Sequence, residues 1–285
     1  MQKYKTDWYL YYLINVTLII LVSFPIYWAF VSSIKPPDEL ITNTPTLFPI
    51  NPTFESYERI WNLEPTSSRG NVRSAFTNSA IVSIGTVVVS AVISTLAAYA
   101  LTILRTPFRH FIFLLLIMPI LIPGISLLIP LYKLVRELGL MNSYLGLILI
   151  HSTGMLTLGV FLMRNAFMSI PTSLREVALL EGSSELRILF TVMLPLAIPG
   201  LLTLMVFALY GAWNDFILAF LFVNTIDMEM LNVFLMKLTF AGSQFDTFWG
   251  LVNAGAIISF VPILIFYIFL QQYFVRGVTG SAVKE

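Results

Sequence analysis

Five charged side chains crowd one short stretch of an otherwise apolar chain. In LREVALLEGSSELRILFTVMLPLAIPG, residues 174–200, Arg175, Glu176, Glu181, Glu185 and Arg187 fall within about four helical turns. Ser173 and Glu176 have the spacing of a capping box, in which the carboxylate closes a free amide at a helix start. Gly182, six residues after Glu176, can end that first helix in the left-handed conformation. Ser183 or Ser184 can cap a second helix with Glu185 near its positive end, and Pro195 helps to start the next apolar run. The result is a helix–hinge–helix unit whose charges do not satisfy one another well. Glu181 and Glu185, four apart, repel mildly within one helix, and neither Glu176 nor Arg187 has an opposite charge three or four positions away. Leu179, Leu180, Leu186 and Leu189 supply apolar knobs. Two readings follow: a unit that docks into a groove offering basic side chains, or a solvated loop with a capped helix.

Other chemistries find little support. The chain has no cysteine, which removes disulfides, thiolate metal sites and cysteine nucleophiles. His110 and His151 are its two histidines, and neither H-E-x-x-H nor G-x-S-x-G occurs. Ser152 beside His151 is not a nucleophile–base pair, because adjacent residues on a helix do not face one another. No catalytic residue and no metal ligand is expected. The sequence lacks a G-x-x-x-x-G-K-[ST] phosphate loop, so an ATP-driven role requires a partner. A net charge of +1 without a basic stripe argues against nucleic acid.

The elements that must position the charged unit are set by composition. Of 285 residues, 58% are hydrophobic and 11% charged, where a soluble domain carries about 25% charged residues. A membrane-spanning helix needs about 20 mainly apolar residues. Six segments qualify, at about 8–34, 74–104, 111–136, 143–168, 195–223 and 246–275. The first follows Lys3 and Lys5 like a signal peptide, but it is too long and no small-residue cleavage site follows it, so it is read as a retained span. An even count puts both termini on one side. Lys3, Lys5, Arg105, Arg109, Arg164, Arg175, Arg187, Arg276 and Lys284 lie in the shorter, more basic segments, which places that side in the cytoplasm. The expectation is a single all-α transmembrane domain, residues 1–285, with an outer loop at 35–73 and the charged loop at 169–194.

Within the outer loop, Phe54, Tyr57, Ile60 and Trp61 share a helical face, which suits an interfacial anchor or a docking site for an external partner. Ser90, Ser94 and Ala98, and again Gly250 and Ala254, recur at intervals of four and let helices approach closely in lipid. Pro25, Pro119, Pro123, Pro130 and Pro262 lie inside spans and can kink them. Polar residues at membrane depth are functional candidates: Asn78 at the start of the second span, Trp213, Asn214 and Asp215 well along the fifth, and Asn253 in the sixth. An aspartate at a helix centre costs about 2.5–3.5 kcal/mol to insert, so Asp215 should face protein, water or the interface.

The pattern Glu176-Val-Ala178, then Gly182, then Val192-Met-Leu194-Pro195 resembles the EAA…G…I-x-L-P loop of ABC importer permeases. Val177 stands where the family usually has alanine, and Glu181 where it often has aspartate. The resemblance implies that this loop forms coupling helices seated in a cleft of an ATPase subunit, with Glu176 meeting an arginine there. Val177, Ala178, Leu179, Glu181, Gly182 and Arg187 would complete the coupling surface. NSAIVSIGTVVVSAVISTLAAYAL, LGLMNSYLGLIL and WNDFILAFLFV resemble carbohydrate-type permeases, and the terminal VRGVTGSAVK resembles the ending of the smaller second permease subunit of maltose-type sugar importers. The resemblance covers nearly the whole chain.

It implies the type I ABC importer permease fold, six transmembrane helices, and half of a sugar translocation pathway in a bacterial or archaeal plasma membrane. The implied partners are a second permease subunit, two ATPase subunits carrying ATP and magnesium, and an extracellular or periplasmic solute-binding protein. A heterodimer is expected, and the sequence leaves a homodimer open. For a sugar, amides bind hydroxyls and aromatics stack on ring faces, so Trp213 with Asn214 is a candidate pair; the alternative is an interhelical hydrogen bond beside an interfacial tryptophan. Permeases for amino acids, phosphate or glycerophosphate are the nearest rivals. An ion-coupled secondary transporter is more distant, because it would show ionisable residues in mid-span or paired broken helices.

Overall fold

In lipid each backbone amide must be satisfied within its own segment, so long apolar runs fold as helices. The computed structural model describes residues 2–42, 44–104, 106–240 and 248–279. Every regular element among them is helical. The chain opens with α1 (Gln2–Ser33), the single turn α2 (Pro37–Leu40) and α3 (Glu55–Trp61). Then come α4 (Val72–Thr102), α5 (Arg109–Ile117), two 3-10 turns and α6 (Leu128–Glu137). After α7 (Tyr144–Met168) lie α8 (Thr172–Leu180), α9 (Glu185–Ile188), a π-helical turn at Leu189–Met193 and α10 (Leu194–Leu196). α11 (Ile198–Trp213), α12 (Ile217–Phe222), α13 (Leu231–Phe240) and α14 (Phe248–Thr279) complete the order. Arg105, residues 246–247 at the start of the sixth expected span, and residues 280–285 of the tail lie outside the described residues.

Four of these helices are long and apolar enough to cross a membrane, over Trp8–Ser33, Val72–Thr102, Tyr144–Met168 and Trp249–Phe269. The two remaining expected spans are not straight. The stretch expected at 111–136 is bent by 97° between Arg109–Leu121 and Gly124–Glu137. Pro119 and Pro123 cause more than a kink: each removes an amide, and Ile122, directly before Pro123, is extended at φ −97° and ψ 121°. The stretch expected at 195–223 is interrupted at Asn214–Phe216, and an 82° bend at Ala197 separates Glu185–Leu196 from Ile198–Trp213. With α11 running across the membrane, Glu185–Leu196 lies nearer the membrane plane, outside the crossing run. Pro195 cannot donate to the carbonyl of residue 191, and the preceding turn widens to a π-helix there.

The helices pack as two compact units. One comprises Met1–Arg73 with Val233–Pro262. The segment after α1 is held around a buried Lys35 and Glu39, which lie 4.0 Å apart. Lys35 Nζ donates to the Thr46 carbonyl at 2.5 Å. Glu39 Oε1 accepts from the Thr46 hydroxyl at 2.6 Å and the Ile50 amide at 3.1 Å. Burial alone would raise the Glu39 pKa, but these hydrogen bonds and the Lys35 charge hold it below the ordinary value of 4.5. The α3 face differs from the sequence reading. Ile60 is fully buried and Tyr57 pairs its hydroxyl with Ser33 Oγ at 2.8 Å, while Phe54 and Trp61 stay exposed. α1 contributes little to this unit, because the apolar side chains from Trp8 to Phe24 are almost all exposed.

The second unit comprises Ser74–Asn232 with Ile263–Glu285. Its core includes Ala98, Val160, Met163, Phe167, Ile188, Leu189, Met193 and Leu204, all nearly inaccessible. The small residues of α4 do what their spacing predicts. A Cβ built on Gly159 of α7 would stand 2.2 Å from Ser94 Oγ and 2.9 Å from Ser94 Cβ. Gly154, further back on α7, has open space around its missing Cβ. Gly159→Val should therefore overpack the α4–α7 contact and cost about 1–3 kcal/mol, read as a lower melting temperature in detergent, while Gly154→Ala should leave it in place. Equal melting temperatures for the two variants would show that the helices do not approach this closely.

Candidate functional site

α8 starts two residues earlier than a capping box at Ser173 requires. Pro171 holds the N-cap position at φ −59°, no side chain caps the helix, and Ser173 lies inside the first turn. The proline ring presets the turn, so the Ser173–Glu176 box does not form, and Glu176 is left free of that local duty. The far end follows the sequence expectation. Gly182 adopts φ +82°. The Ser183 amide donates to the Ala178 carbonyl and the Gly182 amide to that of Leu179, both at 3.0 Å. This is a Schellman motif, which closes the last carbonyls of α8. Ser184 then takes the N-cap of α9 with extended backbone, without a side-chain hydrogen bond.

The unit presents one exposed surface. Glu176, Val177, Leu179, Glu181, Gly182 and Arg187 are exposed, and Leu180 and Leu186 stand out at 89% and 65% exposure. Ala178 turns inward, and Leu189, expected as a knob, is fully buried in the core. Among the described residues, the side chains of Glu176, Glu181 and Arg187 make no hydrogen bond or ion pair.

Glu185 corrects the picture of mutually unsatisfied charges. It pairs with Arg175 across the hinge, Nε donating to Oε2 at 3.2 Å and a terminal guanidinium nitrogen to Oε1. Tyr99 of α4 donates its hydroxyl to the same Oε2 at 2.7 Å. The Arg175 hydrogen bonds, helped by Tyr99, outweigh desolvation and hold the Glu185 carboxyl below its ordinary 4.5. The same pairing raises the pKa of Arg175.

The candidates at membrane depth do not form one cluster. Asn78 is buried and fully engaged: Nδ2 donates to the carbonyls of Asp227 and Glu229 at 2.9 Å, and Oδ1 accepts from the Tyr144 hydroxyl at 2.7 Å. Trp213 makes a T-shaped contact with Phe76, ring centres 5.3 Å apart, and at 5% exposure it offers a solute little ring surface. Asp215 caps α12, accepting from the amides of Leu218 at 3.3 Å and Ala219 at 2.8 Å, with His151 3.7 Å away. Asn214 is exposed, and its Nδ2 donates to the carbonyl of Tyr210. The exposed aromatic beside it is Tyr210, at 59%. The i−4 spacing of Tyr210 to Asn214 on a helix was the available signal. Asn253, in the other unit, is half-buried and its Nδ2 donates to the carbonyl of Trp249.

A bent, kinked helical bundle with an unpaired, leucine-flanked acidic loop has counterparts among known proteins. Residues 90–280 match the family described as the binding-protein-dependent transport system inner membrane component, and this chain belongs to that family. The trehalose transport system permease protein SugB of Mycobacterium tuberculosis is 32% identical over 261 residues, covering 91% of this chain and 92% of its own length. The arabinooligosaccharides transport system permease protein AraQ of Halalkalibacterium halodurans is 32% identical over 264 residues, covering 92% and 91%. A chain in the crystal structure of a bacterial ABC transporter involved in the import of the acidic polysaccharide alginate matches with a TM-score of 0.85, at 24% identity, over 96% of this chain and 98% of that one. The all-α permease fold and the resemblance to ABC importer permeases are both borne out. The protein is membrane-embedded and its role is transport.

The low pKa of Glu185 fixes the sign of a pH response. A carboxylate whose folded pKa is depressed stabilises its contacts above the ordinary value and loses them only as pH falls through the lowered one. The infrared band of the protonated Glu185 carboxyl, assigned by its absence in Glu185→Gln, should therefore reach half its full height only below pH 4.5, and a midpoint is what the titration reads. A midpoint at or above that value would mean that the Arg175 contact does not form in solution.

Proposed function

We propose that this chain is the membrane-spanning permease subunit of an ATP-driven, binding-protein-dependent sugar importer. The observation that carries the reading is the exposed Glu176–Gly182–Arg187 surface, unpaired within a lipid-embedded chain of the binding-protein-dependent family. In a bundle with so few charges, such a surface is suited to a partner with a basic groove. The relatives named for trehalose and arabinooligosaccharides support a carbohydrate as the cargo.

The coupling surface comprises Glu176, Val177, Leu179, Glu181, Gly182 and Arg187, with Ala178 as its inward anchor. ATP and magnesium sit in two partner ATPase subunits. Closure of those subunits draws the docked α8 and α9 along, and the bundle turns from inward- to outward-facing. An external binding protein then delivers the sugar, and hydrolysis resets the cycle. A second permease subunit supplies the other half of the pathway. The complex lies in a bacterial or archaeal plasma membrane with both termini of this chain in the cytoplasm. On this chain, Asn214 with Tyr210 offers the amide and the ring face that a sugar needs; Trp213, Asn78 and Asp215 hold the helix breaks that shape the pathway.

A mild-detergent pull-down from the native membrane should recover an ATPase, a second permease and a solute-binding protein. Recovery of the chain alone, under conditions that preserve other membrane complexes, would favour an ion-coupled transporter instead. Glu176→Ala and Gly182→Pro should each abolish uptake of the sugar carried by the co-purified binding protein, with membrane insertion intact. The proline acts through backbone strain, because a left-handed residue with a side chain already costs about 1–2 kcal/mol. Wild-type uptake by both variants would remove the coupling role.

A further inference from the structure

A glycine hinge between two short helices absorbs motion unless something locks it. Gly182 has the freedom to do so: it sits at φ +82° with open space around it. Across that hinge, however, Arg175 of α8 grips Glu185 of α9 through two guanidinium nitrogens. A two-point arginine–carboxylate pair fixes direction as well as distance. The third hydrogen bond reaches out of the loop, from Tyr99 on the last turns of α4. Tyr99 is itself held, 4% exposed and edge-on to Phe167 of α7 with ring centres 5.7 Å apart. On α8, adjacent residues thus divide the work: Glu176 points outward and Arg175 inward.

We infer that Glu185 is a positioning residue that locks α8, α9 and the end of α4 into one lever, so that a push on α8 moves α4 instead of bending the chain at Gly182. The inference rests on the coupling role proposed for this loop. Arg175 and Tyr99 are the other two members of the lock. None of the three belongs to the outward surface.

The chain has no cysteine, so two can be introduced for spin labels. Leu180→Cys on α8 and Leu96→Cys on α4 are both exposed positions. The distance between the labels is measured in the purified complex, before and after trapping with ATP, magnesium and vanadate. In the parent the distribution should be narrow and unchanged by trapping. In Glu185→Gln and in Tyr99→Phe, trapping should broaden it about two-fold or more, as one or more charge-assisted hydrogen bonds are lost. The swap Arg175→Glu with Glu185→Arg should restore much of the narrow width. Tyr99→Phe deletes one hydroxyl and leaves the loop untouched, so it carries the test if Glu185→Gln does not assemble. Widths in the variants as narrow as in the parent after trapping, or a parent already broad, would overturn the lock. Failure of any ATPase to co-purify with the parent would instead overturn the proposed function.

Discussion

A backbone amide or carbonyl stranded in hydrocarbon costs several kcal/mol, and the structure is arranged around that constraint. Straight helices meet it by themselves. This chain breaks helices in the apolar zone, and at two of the breaks neighbouring side chains help to take over the freed groups. At the proline break after α5, the Thr157 hydroxyl of α7 donates to the Leu116 carbonyl at 2.8 Å. At the gap between α11 and α12, Asn232 donates to the carbonyls of Trp213 at 3.0 Å and Asp215 at 3.2 Å, while the Asp215 carboxylate takes two amides of α12. Asn78, Thr157, Asp215 and Asn232 are thereby committed to the backbone. Asn78 and Asp215, candidate pathway residues in the sequence, thus both bond backbone groups in the fold.

The charged loop obeys a different economy. It lies off the crossing run, where water can solvate an unpaired carboxylate, so Glu176 and Glu181 can stand free. Glu185 is drawn inward, where Tyr99 and Arg175 satisfy it. Charge that is paired fixes geometry, and charge that is unpaired remains available to another protein. The loop contains both kinds on each side of the Schellman turn at Gly182.

Much of this was legible in the sequence, for reasons that differ by element. The apolar runs announced the helices, because length and composition decide them in lipid. Gly182 was legible because a positive φ after a short helix favours glycine above other residues. The Ser94 contact with Gly159 followed from small residues at intervals of four. Two of the misses depend on partners distant in sequence. Arg175 and Glu185 are ten apart with a turn between them, beyond any spacing rule for one helix. Trp213 was a candidate stacking partner, with an interfacial tryptophan as the alternative, and nothing in its own segment shows that its ring is buried. Pro119 and Pro123 were read as kinks; together they remove two amides within five residues, and Ile122 before Pro123 takes the extended backbone that a following proline favours. The capping box failed for a local reason, since Pro171 claimed the cap position first.

α1 stands apart from these rules. Over its membrane-crossing window only 6% of residues are buried within the chain. Its side chains are therefore answerable to whatever surrounds the protein and hardly at all to the protein's own interior. Between Tyr9 and Phe24 the fold asks for greasiness and helical length, not for particular shapes. Substitutions there are screened by lipid and by neighbouring chains, so this segment is free to diverge at a different pace from α4, α7 and α11, whose residues are held to one another.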